Sequence, residues 1–270
     1  MPVAPQLRSL EIDIPAQPQA LLELSLLLAE DEVQLQRVAA LIEADMALAS
    51  AVLKAVNSSL YGLKGRVQTV QQAITYLGTR EVAGVTYEMG LRSVFPHTVE
   101  LEPVWQRAAR RGLLMSRLGQ ALGVDPWIAH SAGLFEECGK AVMFRHATDR
   151  YRPLIAEAKN DEELLLLEHQ KFGVSHDALG AALCETWGLA APAVASVRHH
   201  VQFQLSGELP PQLQRPTVCA LSAVAHALMH APDTADEVAA RVAPQARLEP
   251  ALVQRAAARV SAQLEEAAAR

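Results

Sequence analysis

Three arginines at helical spacing are the most prominent group in this sequence that could do chemistry. Arg107, Arg110 and Arg111 stand at i, i+3 and i+4, so a helix would place them on one face, and Arg117 follows them. Guanidinium groups bind phosphates and carboxylates through paired N–H donors, so this face can receive a nucleotide phosphate or an acidic partner. The alternative is a solvated helix face with scattered ion pairs. The sequence leaves both interpretations open.

Several other chemistries have no counterpart in the sequence. It contains no glycine-rich phosphate loop, no serine nucleophile elbow and no cysteine–histidine dyad. Its three cysteines, Cys138, Cys184 and Cys219, are separate and lie among apolar neighbours, which is typical of buried thiols in a reducing cytosol rather than of disulfides or a zinc cluster. The net charge of −6 and the pI near 5.9 argue against a nucleic-acid binder, which needs a basic face.

The elements that must position these residues are predicted to be helices throughout. Apolar residues recur at three-to-four spacing, aromatic residues make up only 4% of the 270-residue chain, and no alternating runs or Asn-Gly turns mark strands. We therefore predict an all-α fold. Helix starts are expected at Asp45 between two helices, at Thr69 before a helix over 70–77, at Asp125-Pro126, at Asp161, and at Ser175 before a helix over 176–187. Gly123 is expected to end a helix over 101–122.

Three segments are predicted along the chain. Residues 1–17 are a proline-rich leader, either mobile or docked as an extended strand, residues 18–232 form the main helical domain, and residues 233–270 form a short helical extension. A loop is expected over 207–216. The N-terminus has no apolar signal-peptide region, and no apolar stretch is long enough for a membrane span. We expect a soluble, cytoplasmic protein.

Several motifs follow one another in order along residues 17 to 230. They are 42–48, 52–62 with Asn57-Ser58-Ser59, 70–78, 133–140 with Glu136-Glu137-Cys138-Gly139-Lys140, 168–176, 187–189, and His199-His200. In this order they resemble the motifs of the HDOD family, a divergent branch of the HD-domain phosphohydrolases. The resemblance implies a compact bundle of helices related to the HD fold.

The departures from the catalytic pattern carry the functional prediction. The resemblance implies that catalytic HD proteins hold one or two metals with a histidine, a His-Asp doublet, and later histidine and aspartate residues. The aligned positions here are Arg107, Glu136-Glu137 and, for the late aspartate, the neighbourhood of His226. Arginine stays protonated and has no lone pair to offer a metal. We therefore predict no metal and no cofactor, with Arg107 forming an ion pair to Glu136, Glu137 or both.

The remaining members of the metal-ligand pattern are His176, His199 and His200. Together with Glu136 they could still form a carboxylate–imidazole metal site. Adjacent histidines point about 100° apart on a helix, so His199 and His200 seldom reach one ion. The alternative is that these histidines are hydrogen-bonded residues near the core. Lys140 is expected at the surface.

The resemblance implies a non-enzymatic signalling module. Its partner would be another signalling protein rather than nucleic acid, and the family's association with cyclic dinucleotide turnover points to cyclic di-GMP signalling. The alternatives are a residual metal-dependent nucleotide phosphohydrolase and a cyclic-dinucleotide sensor binding at Arg107, Arg110 and Arg111. The sequence leaves open whether the chain forms a homodimer.

Overall fold

The computed structural model describes residues 12–30, 32–63 and 65–269, and within these residues all regular structure is helical. This confirms the all-α prediction. None of the helices in these ranges is long and apolar enough to cross a membrane. The α-helices are α1 (Gln19–Leu28), α2 (Leu35–Glu43), α3 (Met46–Val56), α4 (Val70–Leu77), α5 (Thr79–Ser93), α6 (Glu102–Leu122), α7 (Pro126–Phe135), α8 (Cys138–Glu157), α9 (Asp161–Phe172), α10 (His176–Thr186), α11 (Ala191–Ser206), α12 (Thr217–His230), α13 (Ala235–Gln245) and α14 (Pro250–Ala269).

The chain divides into two compact units. Of the described residues, those within 17–94 and 260–269 form one unit, and those within 12–16 and 95–259 form the other. The predicted segment boundaries at 17 and 232 are not tested by this division and stay a prediction. Residues 1–11 of the predicted leader lie outside the described residues. Within residues 12–16, the Pro15 carbonyl accepts a 2.8 Å hydrogen bond from the Trp187 indole N–H.

The unit of residues 17–94 contains α1–α5, and the side chain of Asn57 closes one of its loops. The Asn57 side chain donates to the Val67 carbonyl at 2.8 Å and accepts from the Val67 N–H at 3.1 Å, which closes the loop after α3. Asn57 therefore has the structural role that asparagine commonly takes in turns. The Asp45 carboxylate accepts the N–H groups of Ala47 and Leu48 and caps α3 as predicted.

The unit of residues 95–259 carries the predicted site residues on α6 to α12. Gly123 ends α6 in the left-handed conformation with φ of 70°, and the Asp125 side chain caps α7, both as predicted. Ser175 precedes α10, but its hydroxyl donates to Asp177 and makes no capping bond. The cap of α9 is the Asn160 side chain, which leaves the carboxylate of Asp161 free for other contacts.

A close backbone contact sets the distance between α8 and α10. A Cβ atom added to Gly139 would lie 1.8 Å from the His176 carbonyl oxygen and 2.7 Å from the Gly180 nitrogen. Only glycine allows two helices to approach so closely. This contact places the start of α8, where the Glu-Glu-Cys-Gly-Lys motif lies, directly against the first turn of α10.

Candidate functional site

The first part of the site is a buried group of charges, here called the ion-pair cluster: Arg107, Arg111, Glu136, Glu137 and Lys140. Glu137 is its centre. The guanidinium of Arg107 donates to both Glu137 oxygens, at 2.9 Å from Nε and 2.5 Å from Nη2. Arg111 Nη2 and Lys140 Nζ each donate to the same carboxylate at 2.8 Å. Glu137 thus receives four hydrogen bonds from three cations, which is the full acceptor capacity of a carboxylate.

Glu136 occupies a different environment with mainly neutral donors. The Gln204 amide donates to Oε1 at 2.7 Å, and the Ser222 hydroxyl donates to Oε2 at 2.5 Å. Arg111 Nε lies 3.0 Å from Oε1, but its N–H is not aligned on that oxygen, so this is a charge contact rather than a hydrogen bond. Glu136 is completely buried and links α7, α11 and α12.

The charges of the cluster reinforce one another. Burial opposes ionisation of Arg111, but the carboxylates of Glu136 and Glu137 outweigh it and raise its pKa. Burial likewise opposes ionisation of Glu137, yet Lys140, Arg111 and Arg107 hold its pKa well below the usual range. The pKa of Lys140 is raised because Glu137 and Asp161 outweigh its burial. Arg111, Glu137 and Lys140 therefore stay ionised at physiological pH.

The second part of the site is the Asp-His-His group, formed by Asp161, His176 and His200. One ligand atom from each of the three side chains lies within 4.8 Å of the other two. The imidazole rings of His176 and His200 have centroids 5.4 Å apart and are fully buried. The Nε2 atom of each ring has no hydrogen-bond partner within the protein.

Both imidazoles are held through their Nδ1 atoms. His200 Nδ1 lies 2.8 Å from the Val197 carbonyl oxygen, and His176 Nδ1 lies 2.9 Å from Glu168 Oε2. Glu168 also accepts the His176 backbone N–H at 2.7 Å and the Tyr151 hydroxyl at 2.5 Å. Burial and the Glu168 carboxylate raise the Tyr151 pKa well above its ordinary value. Glu168 thus fixes the orientation of the His176 ring from α9.

Asp161 connects the two parts of the site. Its carboxylate accepts a 2.7 Å hydrogen bond from Lys140 Nζ and its side chain is 37% exposed. Burial acts to raise the Asp161 pKa, but the charge and the hydrogen bond of Lys140 outweigh it and lower the value to about 2. Lys140 therefore bridges Glu137 and Asp161.

A cavity of about 500 Å³ opens onto the ion-pair cluster. Its walls include Arg107, Lys140 and Asp161, together with His226 and His230 of α12. The two histidine rings stack with centroids 4.3 Å apart. Burial and the neighbouring His230 lower the pKa of His226 to about 4. The cavity is thus lined by both signs of charge and by a neutral imidazole.

The structure bears out part of the sequence-based site and corrects the rest. The predicted ion pair of Arg107 is present, to Glu137. The expectation of a surface position for Lys140 is wrong, since it is only 5% exposed and has two carboxylate partners. Arg110 is exposed, whereas Arg107 and Arg111 converge on Glu137, so the three arginines do not act as one face. His199 is half-buried and lies outside the Asp-His-His group.

Asp161 is the functional candidate that sequence reasoning did not identify. As the first residue of α9, with acids after it, it was assigned only a favourable interaction with the helix dipole. A signal was available: Asn160 before it can serve as the cap, so Asp161 was free to make other contacts. Its two partners are 21 and 15 residues away, at Lys140 and His176, and their proximity is a property of the fold.

The residues present do not fit the metal arrangement of catalytic HD proteins at positions 107, 136 and 137. Arg107 cannot ligate a metal, and the Glu137 oxygens are already occupied by three cations. Removing one of those cations to admit an ion would leave a buried charge unpaired. No catalytic step is derived through a metal at these three positions.

The unit of residues 95–259 thus holds two buried imidazoles beside a cluster of buried ion pairs. The model of the HDOD domain family matches residues 14–203 of this chain. The chain belongs to the HDOD domain family. A protein of Treponema pallidum (strain Nichols) is 31% identical over 193 residues, which cover 70% of this chain, and the chain spans only 37% of that relative's length.

Solved structures with the same fold support this assignment. An HDOD domain protein from Geobacter sulfurreducens aligns with a TM-score of 0.65 at 18% identity, covering 94% of this chain and 93% of its own. A proposed phosphohydrolase from Shewanella amazonensis SB2B aligns with a TM-score of 0.70 at 18% identity, and the alignment covers 98% of this chain and 97% of that protein. A proposed signal transduction protein from Marinobacter aquaeolei VT8 aligns with a TM-score of 0.71 at 18% identity, and the alignment covers 96% of this chain and 59% of that protein. At this identity the likeness concerns the fold.

Proposed function

We propose that this chain is a non-enzymatic signalling protein that acts in the cytoplasm through contacts with another signalling protein. Membership of the HDOD family and the fold shared with a proposed signal transduction protein from Marinobacter aquaeolei VT8 support the signalling role. The observation that carries the non-enzymatic role is the ion-pair cluster. Arg107 places a permanent cation at the position where the family resemblance puts a catalytic imidazole.

The physical argument concerns the lone pairs that are available to bind a metal. A catalytic HD site needs carboxylate and imidazole groups with free lone pairs that can bind a metal and generate hydroxide. Here Glu137 has no free lone pair, and Glu136 is held by Gln204 and Ser222. The cluster instead ties α6, α7 and α8 together, which is a scaffolding role.

Exposed apolar side chains favour a contact function. Leu22 and Leu26 of α1 are 45% and 63% exposed, and Met46 and Tyr76 in the same unit are 84% and 64% exposed. Leu22 and Leu26 are four residues apart, so they lie on the same face of α1. Exposed apolar groups of this kind are common at protein-binding surfaces.

The test combines an activity panel with partner capture. The full chain is assayed against phosphodiesters and nucleotides with added Mn²⁺, Fe²⁺ or Zn²⁺, and we expect no turnover above background. In parallel, partners are captured from lysate with wild type and with Leu22→Ser/Leu26→Ser, and identified by mass spectrometry. Leu166→Ser on α9 is the matched control, since Leu166 is 59% exposed in the other unit. Turnover abolished by His176→Ala would contradict the proposal.

A residual metal-dependent phosphohydrolase is the second candidate, favoured by the Asp-His-His group. Three groups with metal-binding chemistry lie together, and one of them, Asp161, lines the cavity. The fold is shared with a proposed phosphohydrolase from Shewanella amazonensis SB2B. The panel above decides between the two candidates, because only this one requires turnover.

A cyclic-dinucleotide sensor within cyclic di-GMP signalling is the third candidate, favoured by the cavity and by the one-third exposure of the Arg107 side chain on its wall. Calorimetry with cyclic di-GMP tests it. Arg107→Ala should abolish the binding heat, and Arg110→Ala tests whether the exposed arginine contributes. Absence of heat with wild type at micromolar ligand would exclude this candidate.

A further inference from the structure

We propose that Asp161, His176 and His200 bind one divalent transition-metal ion, of the zinc or ferrous-iron class. The site is separate from positions 107, 136 and 137, which the structure fills with ion pairs. Asp161 is not among the residues to which the family resemblance assigns a ligand. The site therefore combines two retained imidazoles with a carboxylate supplied by a different helix.

The state of the two imidazoles is the first argument. Both rings are buried, and both Nε2 atoms have no partner in the protein, although leaving a buried polar atom unsatisfied is unfavourable. Each Nδ1 is meanwhile bonded to an oxygen, from Glu168 for His176 and from Val197 for His200. A carboxylate or carbonyl on one ring nitrogen, with the other nitrogen free, is the arrangement that metal-binding histidines adopt.

The position of Asp161 is the second argument. The three ligand atoms lie within 4.8 Å of one another, whereas a tetrahedral ion with bonds near 2.0–2.1 Å needs its ligands about 3.4 Å apart. The Asp161 carboxylate can move toward the two imidazoles and shorten these distances, because its side chain is 37% exposed at the first position of α9. A carboxylate has two oxygens, so Asp161 can keep its bond to Lys140 on one while the other binds the ion.

The charge of the surroundings is the third argument. By formal charge, the three cations Arg107, Arg111 and Lys140 are outnumbered by four carboxylates, those of Glu136, Glu137, Asp161 and Glu168, so the surroundings of the two imidazoles carry one net negative charge. A divalent cation is favoured there. Two nitrogens and one oxygen suit zinc or iron rather than magnesium or calcium, which prefer oxygen ligands.

A metal at this place would join α9, α10 and α11. Three protein ligands leave at least one coordination position for water or for an anion. The inference is independent of the proposed function, since an ion can stabilise the fold without catalysis. Binding without turnover agrees with both proposals, and binding with turnover contradicts only the non-enzymatic one.

The test uses the full chain, stripped of metal with a chelator and dialysed. Zn²⁺ is titrated by calorimetry, and Co²⁺ is titrated while its visible absorption bands are recorded, because their intensity reports the coordination geometry. We expect one ion per chain. His176→Ala and His200→Ala should each weaken binding at least about 100-fold, and Glu168→Gln, which loosens the support of His176, about 10–100-fold.

Two further variants guard against misfolding and surface binding. Asp161→Asn, at a half-exposed helix start, should fold and still weaken binding at least 10-fold, so loss of binding in that variant cannot be attributed to unfolding. His199→Ala should bind like wild type, because His199 lies outside the group. The proposal is overturned if folded wild type shows no saturable binding, or if binding survives in His176→Ala and His200→Ala alike.

Discussion

The ion-pair cluster and the Asp-His-His group lie next to each other, joined through Lys140 and Asp161, yet the carboxylate oxygens of Glu137 and the Nε2 atoms of the two imidazoles differ in whether they have hydrogen-bond partners. In the cluster, Glu137 has a partner for every lone pair. In the Asp-His-His group, two buried ring nitrogens have none. A closed set of ion pairs serves structure, whereas unused lone pairs are what a ligand site requires. The comparison thus separates a scaffold from a candidate binding site within a single unit.

The difference also concerns how each part responds to substitution. The cluster is a coupled set, so removal of its central carboxylate leaves three cations without their shared partner. The imidazoles make few contacts through Nε2, so their loss should affect ligand binding more than stability. The following predictions test this contrast in order of decreasing effect.

Glu137→Gln is expected to have the largest effect on stability. The substitution keeps the shape of the side chain but leaves the charges of Arg107, Arg111 and Lys140 without their shared carboxylate. Breaking a buried ion pair in this way costs about 3–5 kcal/mol. Urea unfolding followed by circular dichroism measures the loss. Glu237→Gln, at an exposed position, should stay within about 0.5 kcal/mol of wild type; similar values for the two variants would show that the cluster is not structural.

His226 should make the stability of the protein depend on pH, whereas Glu137 stays ionised. Its pKa is about 4 in the folded chain and 6.5 ordinarily, so between these values the unfolded chain binds the extra proton. Stability therefore falls as pH decreases from 6.5 to 4, by up to about 3 kcal/mol. Urea midpoints across this range should decrease for wild type and less steeply for His226→Gln. His169→Gln, at an exposed histidine, should retain the wild-type slope.

Gly139→Ala tests whether the backbone contact positions both parts of the site. The new methyl group would overlap the His176 carbonyl oxygen, so α8 and α10 must separate. Overpacking of this kind costs about 1–3 kcal/mol. Gly65→Ala is a control for general glycine effects, because its added Cβ meets nothing within 4 Å and the cost is only that of its left-handed backbone. Equal unfolding free energies for the two variants would contradict the importance of the contact.

Arg107→Lys should have the smallest effect. Lysine keeps the charge but cannot donate two parallel hydrogen bonds to Glu137. Because the Arg107 side chain is one-third exposed, we expect a loss of only about 1 kcal/mol. Arg110→Lys, on the exposed side of α6, should be unchanged. A larger loss of unfolding free energy in Arg110→Lys than in Arg107→Lys would contradict the structural role of the Arg107–Glu137 pair.

The sequence was informative where chemistry is local or complementary. Helix ends at Asp45, Gly123 and Asp125 follow from short-range hydrogen bonding and backbone preference, so their patterns predicted them. The Arg107–Glu137 pair was predicted because both residues stand at positions where catalytic HD proteins hold metal ligands, and their charges are opposite. The burial of Lys140 was missed because its second partner, Asp161, is distant in sequence. Periodicity also could not show that Arg110 faces outward while its neighbour Arg111 faces inward.

The glycine contact between α8 and α10 has a consequence for protein redesign. The spacing of these helices is set by main-chain atoms, not by the charges beside them. Substitutions in the ion-pair cluster should therefore leave the α8–α10 spacing in place, even where they loosen the packing of α6. Any redesign of these two helices has as its first requirement that position 139 carry no side chain.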